Sequence, residues 1–167
     1  MDHVVFINNY EDYINLLNNN DIYRKFTIIF MENVFIPELI LSSFNIIRLI
    51  SIPSSSTTIN LINCSLHGSV GNGYYNNSLY ETFLPSRIEI LNLSSNYISK
   101  IDITLCNNLK QVNICNNRIS EFYIGNQPFL SFINCSKNKI QYLNLQACNS
   151  LKTFIASSNN LKQIYYP

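Results

Sequence analysis

The chain repeats itself from residue 88 onward, and this periodicity limits the fold more than any other feature does. Four asparagines recur at intervals of 21 residues: Asn96, Asn117, Asn138 and Asn159. Each lies in the same apolar frame, so the pattern L-x-x-L-x-L-x-x-N-x-L is written four times, with other apolar residues in some leucine positions. The chain contains 27 asparagines, but chance would not keep the apolar frame in step with them. A fixed period of this length indicates a repeat whose units stack on one another.

The frame also predicts which side chains face outward. Alternate residues of a β-strand point to opposite sides, so Leu91 and Leu93 are expected inside and Asn92 outside. The register gives three outward rows and a group beyond the strands: Ile90, Gln111, Phe132 and Thr153; Asn92, Asn113, Asn134 and Ile155; Ser94, Cys115, Ser136 and Ser157; and Tyr97, Arg118, Lys139 and Asn160. We expect the four periodic asparagines to be structural, because a short amide in a turn bonds backbone groups that would otherwise be unpaired.

These repeats resemble the leucine-rich-repeat family in its short form. The segment INCSKNKIQYLNLQACNSLKTFIASSNNL is similar to internalin-like and bacterial-type repeats, in which a cysteine takes one leucine position. The resemblance covers about half of the chain. It implies a leucine-rich-repeat solenoid, a right-handed β/α-type superhelix of mostly strands and turns, with one strand of each repeat lining the concave side. It also implies the family's usual activity, the binding of another protein, here through the outward rows.

Residues 1–25 are predicted to form a small strand-helix cap at the start of the solenoid. Residues 4–7 read as a strand, and Tyr10, Tyr13, Ile14 and Leu17 keep helical spacing after a capping asparagine. A solenoid needs an end that shields its first core layer. The alternative is a separate small binding element.

Residues 26–87 are predicted to hold degenerate repeats, and residues 88–167 four regular ones, the last incomplete. Two registers fit the degenerate part: one uses Ile36, Leu39, Leu41, Phe44 and Ile46, and the other uses Phe26, Ile29 and Met31 followed by Ile47, Ile50 and Ile52. The frame then recurs with Cys64 in a leucine position and His67 in the asparagine position. A glycine-rich insertion at about residues 68–85, which includes Tyr74 and Tyr75, is either part of a binding surface or a passive loop.

Composition removes several classes of function. With a net charge of +1, the chain lacks the excess of basic residues that is typical of nucleic-acid-binding proteins, so we expect no nucleic-acid partner. There is no apolar run long enough for a membrane span and no signal peptide at the start, so we expect no membrane partner and an intracellular, cytoplasmic location. The five cysteines, an odd number, suit a reducing compartment. The bias toward asparagine and isoleucine is typical of AT-rich genomes, such as those of viruses and intracellular pathogens.

The sequence also lacks the residue spacings that are typical of metal-binding and catalytic sites. No zinc motif, phosphate-binding loop or pair of carboxylates is present, so we expect no metal, no cofactor, no catalytic residue and no enzyme. Cys115 alone among the cysteines occupies an outward position and is a candidate reactive thiol.

The predicted partner is therefore a protein. The alternative is a homodimer formed through the C-terminal end, because the sequence stops within a repeat and would leave its last core layer open. The residues predicted to form that surface are Ile164, Tyr165 and Tyr166.

Overall fold

The computed structural model describes residues 3–19, 24–31, 33–50, 52–71, 81–82 and 84–167. It is a parallel β-solenoid of about seven turns with little helix. One helix lies in the described part of the chain, α1 (Tyr10–Asn18). The strands are β1 (His3–Ile7), β2 (Phe26–Phe30), β3 (Glu38–Ile40), β4 (Ile46–Ile50), β5 (Thr58–Asn60), β6 (His67–Gly71), β7 (Glu81–Thr82), β8 (Ile90–Asn92), β9 (Tyr97–Asp102), β10 (Gln111–Asn113), β11 (Glu121–Tyr123), β12 (Phe132–Asn134), β13 (Tyr142–Asn144), β14 (Thr153–Ile155) and β15 (Gln163–Tyr165).

Successive turns contribute strands to two parallel stacks. One stack is a continuous six-stranded sheet in the order β14-β12-β10-β8-β5-β3. The other consists of three shorter sheets, β1-β2-β4, β7-β6-β9-β11 and β13-β15, which follow one another because β4 contacts β7 and β11 contacts β13. We call the outward side chains of the first stack the six-stranded face and those of the second stack the interrupted face.

Strand alternation explains why such short strands are stable together. The middle residue of each regular strand points inward, so Leu91, Val112 and Ile133 are fully or almost fully buried. In the strands of the second stack, Ile101 and Leu143 likewise point inward and are buried. A three-residue strand cannot bury its own apolar surface, but stacked neighbours bury it continuously.

Strand pairing settles the register of the degenerate turns. Leu39 pairs with Ile59, and Ile59 pairs with Leu91, so the register that begins at Ile36 is confirmed. The alternative through Met31 is wrong, because this side chain is 45% exposed.

The frame proposed around Cys64 needs correction. By the same pairing Ile59 takes the second leucine position and Leu61 the third, so Cys64, not His67, takes the asparagine position. His67 instead begins β6. The sequence alone does not distinguish these two registers, because neither Cys64 nor His67 is the asparagine that identifies this position in the other repeats.

Part of the predicted insertion at residues 68–85 is not a loop, because residues 68–71 belong to β6 and residues 81–82 form β7, and both strands pair in the second stack. The rest of it up to residue 80, with Tyr74 and Tyr75, lies outside the described residues.

The first strand and helix follow from local signals. The Asn9 side chain accepts a hydrogen bond from the backbone N–H of Asp12 at 3.0 Å, which fixes the start of α1. The hydroxyl of Tyr13 donates to the carbonyl of Ile40 at 3.0 Å and accepts from the N–H of Ile40 at 2.9 Å. The helix thereby satisfies polar backbone groups of β3, the outermost strand of the six-stranded sheet.

The periodic asparagines join each turn to the one before it. Asn138 accepts from the N–H of Ile119 at 3.0 Å and donates to the carbonyls of Ile114 at 2.9 Å and Cys135 at 3.1 Å. Asn96, two turns earlier, Asn117, one turn earlier, and Asn159, one turn later, repeat this arrangement. Each amide therefore bonds both its own turn and the preceding turn.

Two other residues take over this bonding where asparagine is absent. The buried thiol of Cys64 donates to the carbonyl of Leu41, the position that an asparagine amide contacts in later turns. Gln127, fully buried on the far side of its turn, donates to the carbonyls of Ile103 at 2.8 Å and Ile124 at 2.9 Å. These carbonyls lie 24 and 3 residues before it, the same offsets that Asn138 uses.

We predict that Asn138→Ala strongly destabilises the solenoid. The substitution leaves one N–H and several carbonyls without their partner, at about 1–3 kcal/mol for each group left buried and unsatisfied, so we expect a loss of at least about 3 kcal/mol. Urea unfolding followed by circular dichroism measures this. The control is Asn160→Ala, an exposed asparagine whose expected effect is within about 0.5 kcal/mol. Equal stability of the two variants would contradict a joining role for Asn138.

Candidate binding face

Eight of the predicted outward residues lie together on the six-stranded face, whereas the outward positions predicted for Ser94 and Ser136 are wrong, because both side chains are buried. Pairing in register places Ile90, Gln111, Phe132 and Thr153 in one row and Asn92, Asn113, Asn134 and Ile155 in the next. Ile90 and Ile155 are exposed, and Phe132 is half-buried. The face is therefore polar and uncharged along these rows, with a few apolar side chains among amides.

The asparagines of the second row do not pair with one another. Asn92 accepts from the N–H of Ser94 at 3.2 Å and from its hydroxyl at 2.9 Å, and Asn134 binds Ser136 in the same way. Asn113 accepts from the N–H of Cys115 at 3.3 Å. Each amide oxygen is thus held within its own turn, while the Nδ2 groups donate to none of the described residues. The result is a row of amide donors in register, one strand spacing apart.

The structure separates Tyr97, Arg118 and Lys139 from these eight residues. Tyr97 begins β9, which belongs to the interrupted face. Its ring stacks on His67 with centroids 4.8 Å apart, and the Arg118 guanidinium lies 4.7 Å from its centroid. Lys139 follows in the same row and is exposed. These planar groups form a stack at the corner between the two faces.

Two exposed tyrosines on the interrupted face, Tyr123 and Tyr142, are absent from the predicted sites. Both lie on strands there, as does the predicted Tyr165, and all three are about half exposed. Strand alternation after the buried Phe122 would have found Tyr123, had the second half of each repeat been read as a strand.

A charged cluster surrounds Tyr123. Lys100 forms an ion pair with Glu121 at 2.9 Å, and its ammonium lies 5.0 Å from the ring centroid of Tyr123. The hydrogen bond from Lys100 lowers the pKa of Glu121, and the hydrogen bond that Tyr123 donates to Glu121 raises the pKa of Tyr123. The Lys100 ammonium and the Glu121 carboxylate beside Tyr123 are therefore engaged with each other.

The predicted self-association residues lie on the last turn. Ile164 is half-buried, and Tyr165 and Tyr166 are exposed. Phe154 is likewise half-buried, whereas Ile133, its equivalent one turn earlier, is fully buried.

Few groups in the described chain are suited to catalysis or metal binding. No cluster of three or more His, Cys, Asp or Glu side chains in the described ranges is placed to hold a metal ion. Within the same ranges no helix is long and apolar enough to cross a membrane. Burial raises the pKa of the thiols of Cys64, Cys106 and Cys135 to about 12.

Comparison of the chain with models of known protein families, with curated proteins and with solved structures found no match.

The buried thiols predict selective labelling. At about pH 8, Cys115 should react with a thiol reagent, because it alone of the five cysteines is not buried. The other four should react only after unfolding. We expect one equivalent of label on the folded protein and five in denaturant, counted by mass spectrometry. The variant Cys115→Ser should lose the native label, and fast labelling of a second cysteine would contradict the burial.

Proposed function

We propose that this chain is a leucine-rich-repeat-type solenoid that binds a partner protein, without catalysis, through its six-stranded face. The observation that carries the proposal is the row of amide donors at Asn92, Asn113 and Asn134. Their oxygens accept hydrogen bonds within their own turns, so the Nδ2 donors are held in fixed positions and donate to none of the described residues. Binding to groups that are already ordered costs less conformational entropy.

The chemistry of this face suits a protein more than other ligands. Six parallel strands span about 24 Å, which is wider than most small-molecule sites. Phe132 and the exposed isoleucines supply apolar contacts among the amides, as at interfaces where a few apolar anchors are surrounded by polar groups. We place the partner against the rows that contain Phe132 and Asn134, near the middle of the regular turns.

The bonding pattern supports the leucine-rich-repeat type. The side chain of the repeat's asparagine forms hydrogen bonds with the backbone of its own turn, and the apolar positions of the motif lie in the core. We further propose that the superhelix is right-handed with the six-stranded face on its concave side. The bonding of Tyr13 to Ile40 supports a capping role for β1 and α1, and the five free cysteines support a reducing, cytoplasmic location.

Phe132→Asp is expected to weaken partner binding without unfolding the protein. An aspartate at this half-buried outward position places an unpaired charge in the centre of the proposed contact. The wild-type chain and the variant are used as paired baits in crosslinking mass spectrometry. We expect at least one crosslink from the six-stranded face to another protein that is lost in the variant.

Tyr142→Asp is the matched control, because Tyr142 is exposed on the interrupted face. It should retain the crosslinks. Unfolding is checked for both variants by circular dichroism. Crosslinks that depend on Tyr142 and not on Phe132 would place the contact on the wrong face and refute the proposal.

Self-association is a second candidate function, supported by the half-buried side chains of the last turn. Phe154, Leu161 and Ile164 pack against the core but stay partly accessible, and the neighbouring Tyr166 is 62% exposed. A second copy stacked on this turn would bury them.

The association state tests this candidate. We expect the wild-type molar mass, measured by light scattering, to rise with concentration toward that of a dimer. The double variant Tyr165→Lys/Tyr166→Lys should remain a monomer, because two like charges oppose contact at that surface. A wild type that is monomeric at all concentrations would exclude this candidate.

A further inference from the structure

The interrupted face is broken between two turns that are otherwise regular. β9 pairs with β11, and β13 pairs with β15, but no ladder joins β11 to β13 although the two strands are in contact. In the flanking turns the N–H of Ile103 donates to Tyr123 at 2.9 Å, and that of Leu145 donates to Tyr165 at 2.8 Å. The corresponding bond from Ile124 to Asn144 is absent among the described residues. Backbone polar groups are therefore left open at this break.

A groove of about 440 Å³ opens at the break. Its lining includes Thr104, Tyr123, Gly125, Asn144 and Gln146. Thr104, Gly125 and Gln146 occupy equivalent positions in three successive turns, so the glycine leaves a gap between two side chains of the same row. A Cβ at Gly125 would lie 2.9 Å from the Cα of Thr104, and its φ of +72° favours glycine as well. The volume is within the range of about 300–1,000 Å³ that is usual for small-ligand sites.

The lining of the groove specifies the chemistry of a ligand. None of the residues that line it carries a charge. The Asn144 oxygen accepts from the N–H of Gln146 at 3.0 Å, which leaves its Nδ2 group and the Gln146 side chain to bond a ligand. The Lys100 ammonium lies 5.0 Å from the centroid of the Tyr123 ring, but Lys100 does not line the groove. The site therefore combines an aromatic surface, neutral donors and acceptors, and open backbone groups.

We propose that this groove binds a neutral saccharide. A sugar ring presents an apolar C–H surface that packs on an aromatic ring, and hydroxyl groups that both donate to and accept from amides. A phosphate or carboxylate ligand would find no cation in the lining to compensate its charge. The site is separate from the proposed partner face, so it does not depend on that proposal.

The test is titration of the isotope-labelled full chain with neutral trisaccharides of glucose, N-acetylglucosamine, mannose and galactose, followed by amide chemical shifts in NMR spectra. We expect at least one of them to shift the amides of Ile124, Gly125, Gln146 and Ala147, with a dissociation constant below about 10 mM. Because no ionic contact is involved, the affinity should not change between about 0.05 and 0.5 M salt. A trimer of galacturonic acid should bind no more tightly than the galactose trimer.

Two variants and one control localise the site. Tyr123→Ala and Gln146→Ala should each weaken binding, the former by about tenfold, because they remove the aromatic surface and a hydrogen-bonding amide. Tyr142→Ala, which removes an exposed tyrosine outside the groove, should leave the affinity unchanged. The same spectra report whether each variant is folded. The proposal is overturned if no neutral trimer binds, if the charged trimer binds more tightly, or if neither groove variant weakens binding.

Discussion

The asparagine amide that bonds two successive turns is the interaction on which the solenoid depends. Strands of three residues have too few ladder bonds to be stable alone, and many of the hydrogen bonds in this chain join neighbouring turns. The amide adds bonds at the corner where the chain leaves the six-stranded sheet, a position at which backbone groups would otherwise be buried without partners. A repeat of 21 residues brings each asparagine back to the same corner.

This constraint explains which parts of the fold the sequence predicts. Where asparagine keeps its position, at Asn96 and after, the strands of the six-stranded sheet and the core residues of the motif follow from the sequence pattern, whereas the strands of the interrupted face do not. Where a thiol replaces the amide at Cys64, the register is ambiguous in sequence, because a cysteine fits a leucine position equally well. Only pairing through space, from Leu39 to Ile59 to Leu91, distinguishes the two.

The candidate surfaces show a similar division. The rows of the six-stranded face could be read from strand alternation, since their residues directly flank buried leucines. The sequence does not reveal that the amide oxygens of Asn92, Asn113 and Asn134 are bonded while their Nδ2 groups donate to none of the described residues. This depends on hydrogen bonds from the residue two positions later. The groove at Gly125 also cannot be predicted from the sequence. It requires knowing that the second half of each repeat is a strand and that one ladder there is missing.

The missing ladder and the asparagine bonds are connected. Asn138 and the pairing of β10 with β12 join the same two turns that are unpaired between β11 and β13. Because the turns are held at the corner and on the six-stranded side, the interrupted face can lose a ladder there without the turns separating. Open backbone groups and a glycine gap are therefore tolerated on that face. On the six-stranded face the same loss would remove the pairing that aligns the amide donors, so an uninterrupted sheet is the condition for that surface.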